Sequence, residues 1–126
     1  MDIRAYFRAV VEQNAEALRR FFQPDAEVRW HNTNERFTVE EFVWANCEYP
    51  GQWAGELERA EELADGSLAA AAHVYAKEGG ASFHVASFIR LEEGKIAALD
   101  EYWGDDGPAP QWRRDKHIGR PIREEN

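Results

Sequence analysis

The sequence predicts a single α+β domain spanning residues 1–126, in which N-terminal helices wrap a curved antiparallel sheet, a cone-like half barrel, around an apolar pocket. Three observations predict this class. Apolar residues recur at helical spacing near the N-terminus, a helix-capping pattern follows at residue 38, and glycine turns divide residues 53–103 into strand-like stretches. With 126 residues, 44% of them hydrophobic, the chain can form one core.

The first 30 residues predict a kinked helix followed by a short strand. The apolar positions of the helix lie three to four residues apart: Ile3, Phe7, Val10, Val11, Leu18, Phe21 and Phe22. Asp2 is placed to cap the helix, and Asn14 to cap it again after the kink. Pro24 is expected to end the helix, because proline lacks the N–H that a helix interior requires. Residues 27–31 then alternate in character, as a strand does.

The second helix carries a capping box. Thr38 is followed three residues later by Glu41, so each side chain can accept a hydrogen bond from the other's backbone N–H. The helix is expected to run to about Tyr49, where a Pro-Gly pair follows. Asn46 and Glu48 lie on its last turn, and the sequence leaves open which of them faces the pocket.

Strand-like stretches separated by tight turns predict an antiparallel meander in the second half of the chain. The stretches are residues 53–64, 68–77, 82–91 and 95–103. The turns between them are Asp65-Gly66, Gly79-Gly80 and Glu93-Gly94. The alanines at 69–72 favour a helix by propensity, but the flanking turns favour a strand there.

The last segment, residues 104–126, is rich in glycine and proline and is expected to be irregular. Trp112, Ile118 and Ile122 recur in it as isolated apolar residues. We therefore expect this tail to pack on the domain surface, with these side chains as anchors.

Composition excludes two classes of partner. The formal net charge of −9 argues against nucleic acid, whose phosphates require a basic face. No apolar run approaches the roughly 20 residues that span a bilayer, so no membrane partner is expected. Cys47 is the only cysteine, which excludes an internal disulfide and indicates a cytoplasmic protein with an inert thiol.

Two stretches carry a resemblance to a known family. Residues 14–28 follow a turn, helix, acidic corner and strand pattern, and residues 94–103 resemble a closing strand. Together with the order of elements, residues 3–103 resemble the nuclear transport factor 2-like superfamily, which includes SnoaL-like polyketide cyclases and ketosteroid isomerases. The resemblance implies a cone with a pocket and frequent homodimers, and it leaves the tail unexplained. No cofactor is expected.

Alternation along the strands sorts side chains by face, if the closing strand is registered as in the ketosteroid isomerases. Residues expected to face the pocket are Val28, Trp30, Phe83, Val85, Ser87, Leu99, Glu101 and Trp103, and all of these except Val28 and Glu101 are expected to bind a ligand. Residues expected to face outward are His84, Phe88, Asp100 and Tyr102.

Matching positions to the ketosteroid isomerases changes the expected chemistry. The resemblance places the oxyanion tyrosine at Tyr6, which is kept. It places the catalytic base at Trp30, which cannot accept a proton, and the second oxyanion donor at Ser87, a far weaker acid. Steroid isomerisation is therefore not expected.

Glu101 is the alternative candidate for a general base. A carboxylate among Leu99, Trp103 and Phe83 would be poorly solvated, which raises its pKa toward a useful range. SnoaL-like cyclases are similar in placing an acid/base carboxylate on the sheet lining. The alternative is a structural carboxylate at the rim, paired with an arginine or with water.

Histidines offer further candidates. His31 and Asn32 begin a polar run expected to loop over the pocket mouth, where His31 would bond a ligand or simply stabilise a turn. His73 and His84 are expected to share the outer sheet face. No third ligand stands at metal-binding spacing, so no metal is expected.

The outer face also suggests an oligomer. His73, Tyr75, His84 and Phe88 place aromatic area on a sheet face that no predicted helix covers, which indicates a homodimer.

Two functional hypotheses remain. The first is a small-molecule pocket protein that transfers a proton on a carbonyl-bearing, mostly apolar substrate, with Glu101 as base and Tyr6 as oxyanion donor. The second is a non-catalytic ligand-binding or dimerisation module on the same fold. The enzyme requires Glu101 and Tyr6 to converge on one enclosed volume, and a cavity filled by Trp30, Trp103 and phenylalanine side chains would count against it.

Overall fold

A computed structural model describes residues 1–123 and confirms the α+β class. The elements in chain order are α1 (Ile3–Val11), α2 (Ala15–Arg19), β1 (Phe22–Trp30), β2 (Glu35–Phe37), α3 (Val39–Cys47), β3 (Trp53–Glu62), β4 (Leu68–Ala76), β5 (Ser82–Glu92), β6 (Lys95–Asp105) and α4 (Gln111–Asp115). None of the helices within residues 1–123 has the length and apolar character needed to cross a bilayer.

The predicted caps fix where the first three helices begin. Asp2 Oδ1 accepts a 3.0 Å hydrogen bond from the first turn of α1, and Asn14 Oδ1 accepts one of 3.1 Å from the first turn of α2. Thr38 and Glu41 form the complete capping box of α3, with bonds of 3.0 and 3.2 Å. Each bond satisfies a backbone N–H that the helix itself leaves free.

The prediction that Pro24 ends a helix is wrong. Helix α2 ends at Arg19, and β1 has already begun at Phe22, so Pro24 lies inside a strand. The pairing of β1 with β6 shifts register between Phe22 and Glu27, and Pro24 lies in that irregular stretch. Proline, which has no backbone N–H, is tolerated there because regular hydrogen bonding between the two strands is interrupted.

The sheet is curved and unclosed, in the order β2-β1-β6-β5-β4-β3. All neighbouring strands run antiparallel except β1 and β6, which are parallel, so the sheet is mixed. Register shifts interrupt three of the pairings, and such bulges bend and twist a sheet locally. Curvature gives the sheet a concave inner face that helices can cover.

The core fills the space between that inner face and the helices. Its largest fully buried side chains are Phe42, Leu18, Ile89, Ile96, Leu99 and Val28. Helix α1 lies very close to β3 at Gly55, where an added Cβ would stand 2.7 Å from the Phe7 ring and 2.8 Å from the His73 carbonyl oxygen. The absence of a side chain at Gly55 therefore brings the end of α1 onto the sheet.

The tail differs from its prediction. Strand β6 continues to Asp105, and residues 111–115 form the short helix α4. The expected anchors are exposed, with Trp112 at 57%, Ile118 at 54% and Ile122 at 100%, so they do not hold the tail on the domain. The tail contacts the sheet instead through an ion pair of 2.6 Å between Arg123 and Glu58 of β3. Residues 124–126 of the predicted tail lie outside the described residues.

Candidate functional site

A pocket of about 360 Å³ opens between the end of α1, the end of α3 and the inner face of the sheet. Its lining combines apolar and aromatic side chains with a few polar ones: Val10, Val11, Gln13, Trp30, Asn32, Thr33, Asn46, Tyr49, Trp53, Val74, Phe83, Trp103 and Asp105. Ligand pockets of proteins commonly measure about 300–1,000 Å³ and have this kind of lining.

Five of the lining rings contact one another in sequence around the pocket. The ring centroids of Tyr49 and Trp53 lie 5.6 Å apart, and those of Trp53 and Phe83 lie 5.8 Å apart. Trp103 continues the series at 6.1 Å from Phe83, and Trp30 lies 6.5 Å from Trp103. Three of these four contacts are edge-to-face, so the rings surround the space at steep angles to one another.

Two lining amides hold the pocket walls together. Gln13 Nε2 donates to the carbonyl oxygens of Asn46 at 3.0 Å and Tyr49 at 2.8 Å. Asn46 Nδ2 donates to the carbonyl oxygen of Val10 at 3.1 Å. These bonds tie the end of α1 to the end of α3, and they show that Asn46 lies on the pocket side of that helix.

A second, much smaller cavity lies behind the pocket. Its volume of about 20 Å³ has room for roughly one water molecule. Its lining comes from α1 and the inner sheet face: Ile3, Tyr6, Phe7, Val10, Leu57, Ala70, Ala72, Val85, Ser87, Ile89, Glu101 and Trp103. Trp103 and Val10 line both volumes, so they form the wall between them.

Glu101 is a buried carboxylate at this inner cavity, with 6% of its surface exposed. One oxygen accepts a 3.1 Å hydrogen bond from Trp30 Nε1, and the other accepts a 2.6 Å bond from Ser87 Oγ. Burial raises the pKa of Glu101, because a charge is costly away from water, and the bonds from Ser87 and Trp30 together with the nearby Trp103 indole only partly offset this. A raised pKa brings a carboxyl closer to the range in which general acid–base catalysis is efficient.

Tyr6 and Trp103 complete the inner cavity with buried polar atoms that lack partners. Neither the Tyr6 hydroxyl nor Trp103 Nε1 has a partner at good hydrogen-bonding geometry within residues 1–123, although the Trp103 indole lies near enough to Glu101 to lower the pKa of that carboxyl. Burial, and then the Glu101 carboxylate, hold the pKa of Tyr6 well above the usual value of a tyrosine. Tyr6 therefore keeps its proton and remains a hydrogen-bond donor.

The structure divides the residues expected to bind a ligand or to catalyse into three groups. Trp30, Phe83 and Trp103 line the larger pocket. Tyr6, Val85, Ser87 and Glu101 line the inner cavity, so they lie behind the pocket wall. Leu99 lines neither volume and belongs to the core, with 0% exposure.

The structure places His31 on the outer face of the sheet and not among the residues that line the pocket. Its ring stacks on Tyr102 with centroids 4.3 Å apart, and its Nε2 lies 2.7 Å from Asp100 Oδ1. Tyr102 and Asp100 belong to the outer face, because they alternate with the inward Glu101 along β6. His31 follows the last residue of β1 and turns outward by the same alternation.

Several pocket residues were not predicted, although sequence signals for some of them exist. Asp105 continues the inward alternation of Leu99, Glu101 and Trp103, and it was missed because β6 was expected to end at Trp103. Val74 of β4 pairs with Phe83 of β5, so both side chains point to the inner face of the sheet. The other residues that sequence reasoning missed come from the helix ends, where loop geometry decides which side chains meet: Val10, Val11, Gln13, Thr33, Tyr49 and Trp53.

A separate group of ionisable side chains lies on the outer face. The rings of His73 and His84 stack with centroids 4.7 Å apart, as their predicted shared face requires. A hydrogen bond with Asp106 raises the pKa of His84. Within residues 1–123 no three His, Cys, Asp or Glu side chains stand close enough to hold a metal ion.

The raised pKa of Glu101 predicts a specific pH dependence of stability. The folded protein keeps the Glu101 proton to higher pH than the unfolded chain, whose glutamate has its ordinary pKa of 4.5. The free energy of unfolding should therefore fall as the pH rises from that value to the folded-state pKa, and this contribution should stay constant above it. Urea unfolding between about pH 4 and pH 8 should show this fall relative to Glu101→Gln. A difference between the two proteins that does not vary with pH would contradict the prediction.

Comparison with known proteins places this geometry in a family. Residues 3–99 match the family described as the SnoaL-like domain. No curated protein matches the chain.

Solved structures share the fold at low sequence identity. A candidate ketosteroid isomerase from Kribbella flavida is 23% identical over 98% of this chain and 88% of its own, with a TM-score of 0.75. A nuclear transport factor 2-like protein of unknown function from Burkholderia xenovorans is 18% identical over 95% and 91%, with a TM-score of 0.76. A candidate polyketide cyclase from Sinorhizobium meliloti is 22% identical over 79% and 91%, with a TM-score of 0.62. At these identities the similarity shows the fold alone.

Proposed function

Since the chain belongs to the SnoaL-like domain family, we propose that it binds a small, mostly apolar molecule in the 360 Å³ pocket. The observation that carries this proposal is the pocket itself, which combines the volume of a ligand site with a wall of Trp30, Phe83 and Trp103. Its remaining polar groups are few, as in sites where apolar contact supplies affinity and one or two bonds orient the ligand.

A matched pair of variants at Val74 tests the proposal. Val74 is 8% exposed and lines the pocket from β4. Val74→Phe should narrow the pocket and weaken binding of a neutral bicyclic probe, 2-naphthol, by about tenfold or more, because the added ring overlaps the ligand volume. Val74→Ala should bind the probe at least as well as the unmodified protein does.

Ligand-observed NMR gives the affinities, and thermal unfolding shows whether each variant is folded. Equal 2-naphthol affinity in both folded variants would contradict binding in this pocket. Failure of the unmodified protein to bind the probe would have the same meaning.

A second candidate function is proton transfer on a carbonyl-bearing substrate, favoured by the convergence of Tyr6 and Glu101 on one enclosed volume. The Glu101 carboxylate would take a proton from the carbon next to the carbonyl, leaving an enolate. The Tyr6 hydroxyl would donate a hydrogen bond to the enolate oxygen. Glu101 would then return the proton to the same carbon or to another.

This chemistry requires Trp103 to move, because its side chain stands between the pocket and Glu101. The movement would carry the Trp103 indole away from Glu101, whose pKa the indole lowers. It would join the inner cavity to the pocket and bring a substrate against the carboxylate. Catalysis therefore depends on movement of the Trp103 side chain, whereas binding in the larger pocket does not.

We also propose a homodimer through the outer sheet face. Tyr75, Phe88 and Tyr102 are 39%, 47% and 47% exposed there. Arg29 and Asp100 pair within the face at 2.6 Å, so these two charges offset each other there. Sedimentation at micromolar concentration should show a dimer that Phe88→Glu weakens by about tenfold or more. The control Leu63→Glu alters a comparably exposed residue in the β3–β4 turn, and a monomer before any substitution would contradict the proposal.

The expected compartment remains the cytoplasm. Cys47 is a free thiol and the only cysteine of the chain, so no part of the fold depends on a disulfide.

A further inference from the structure

The charge of the pocket lining indicates which class of ligand the pocket would bind. Asp105 is the only charged side chain among the described residues that line the pocket. It forms no ion pair or side-chain hydrogen bond within residues 1–123, so no described cation neutralises it. A ligand entering beside Asp105 therefore meets an unbalanced negative charge.

The aromatic walls, like Asp105, favour a positively charged ligand. The face of an aromatic ring carries negative electrostatic potential and attracts a cation within about 6 Å of its centroid. Five rings line the pocket in a connected series: Tyr49, Trp53, Phe83, Trp103 and Trp30. Most of their contacts are edge-to-face and none is a parallel stack, so the ring faces are not covered by one another. Sites that bind methylated ammonium groups are built in this way.

The amide side chains of the lining already form hydrogen bonds within the protein, so they contribute little to the choice of ligand. The Nε2 of Gln13 and the Nδ2 of Asn46 already donate to backbone carbonyl oxygens. Asn32 Oδ1 accepts a bond from the backbone N–H of Trp103. No lysine, arginine or histidine of the described residues lines the pocket, so an anionic ligand would find no counter-charge.

We propose that the pocket selects a small organic cation, with a methylated ammonium group held against the aromatic rings and its charge near Asp105. This inference rests on the proposed function and names the ligand class of the same pocket. Because methyl groups carry most of its surface, such a cation satisfies the apolar walls and the carboxylate together.

The probes are choline and 3,3-dimethylbutan-1-ol, which have the same shape but differ by one positive charge. Choline should bind about tenfold more tightly than the neutral alcohol, because only choline gains from the ring faces and from Asp105. Titration followed by the tryptophan indole N–H signals in NMR spectra measures both affinities. Equal affinity, or tighter binding of the alcohol, would overturn the inference.

Variants separate the contributions of the carboxylate and the rings. Asp105→Asn should weaken choline binding by up to about fivefold and leave the alcohol unchanged, since Asp105 is exposed and its attraction is screened. Phe83→Leu, which keeps apolar bulk without a π face, should also weaken choline more than the alcohol. Asp25→Asn removes one charge at an exposed position outside the pocket and should change neither affinity.

The outcomes distinguish this inference from the function it rests on. If the protein binds 2-naphthol but shows no preference for choline, the pocket binds ligands and the cation inference is wrong. If it binds none of the three probes, both proposals are wrong. Loss of the choline preference in Asp25→Asn would also overturn the inference, because it would show a general effect of net charge.

Discussion

Glu101→Gln is expected to lower any proton-transfer rate by about 10²- to 10⁴-fold while leaving the protein folded, because the amide cannot accept the substrate proton. The substitution keeps an oxygen that can accept the hydrogen bond of Trp30 Nε1, and its amide can bond with Ser87. The measurement is exchange of the α-protons of 2-tetralone with D₂O, followed by NMR. Absence of acceleration by the unmodified protein would contradict the catalytic candidate but leave ligand binding intact.

Stability provides the control for that experiment. Glu101→Gln should be at least as stable as the unmodified protein at neutral pH, since it removes a buried ionisable group whose charged form is disfavoured. Glu101→Leu should be less stable than Glu101→Gln by about 1–3 kcal/mol for each buried donor left without an acceptor, here Trp30 Nε1 and Ser87 Oγ. Equal stability of the two variants would show that these bonds do not hold the carboxyl in place.

Phe42→Ala is expected to lower the free energy of unfolding by about 3–5 kcal/mol. Phe42 is 1% exposed and packs its ring against those of Phe22 at 5.5 Å and Trp30 at 6.2 Å. Removing it would leave a cavity beneath the pocket wall, because neighbouring side chains relax only partly. Urea unfolding measures the loss.

The matched control for Phe42 lies two residues along the same helix. Trp44 is 66% exposed, so Trp44→Ala should change stability by no more than about 0.5 kcal/mol. A loss of similar size in both variants would contradict the role given to burial, because alanine is a better helix former than phenylalanine or tryptophan and helix propensity could not explain the loss.

Much of the fold could be predicted because its signals are local. The caps at Asp2, Asn14 and Thr38 each depend on residues within one helical turn, and the structure confirms them. The hairpin turns depend on adjacent residues in the same way. The parallel pairing of β1 with β6 joins residues about 70 positions apart, as in Trp30 with Glu101, and no local pattern specifies its direction.

The candidate site was predictable only as far as strand alternation reaches. Alternation placed Trp30, Phe83 and Trp103 inward, and extending β6 by two residues would have found Asp105. Alternation cannot tell which inward residue meets the pocket and which lies behind it. The separation of Glu101 from the pocket depends on how the Trp103 side chain packs, which is a three-dimensional property of its neighbours.

The tryptophans of the chain allow the most direct test of the central claim, that the pocket is a ligand site. Three of them line it, Trp30, Trp53 and Trp103, whereas Trp44 and Trp112 lie outside it and are exposed. On addition of 2-naphthol, the indole N–H signals of the first three should shift together in a ¹H–¹⁵N NMR spectrum, and those of Trp44 and Trp112 should stay in place. Unchanged signals for Trp30, Trp53 and Trp103 at saturating probe, or shifts confined to Trp44 and Trp112, would contradict the claim.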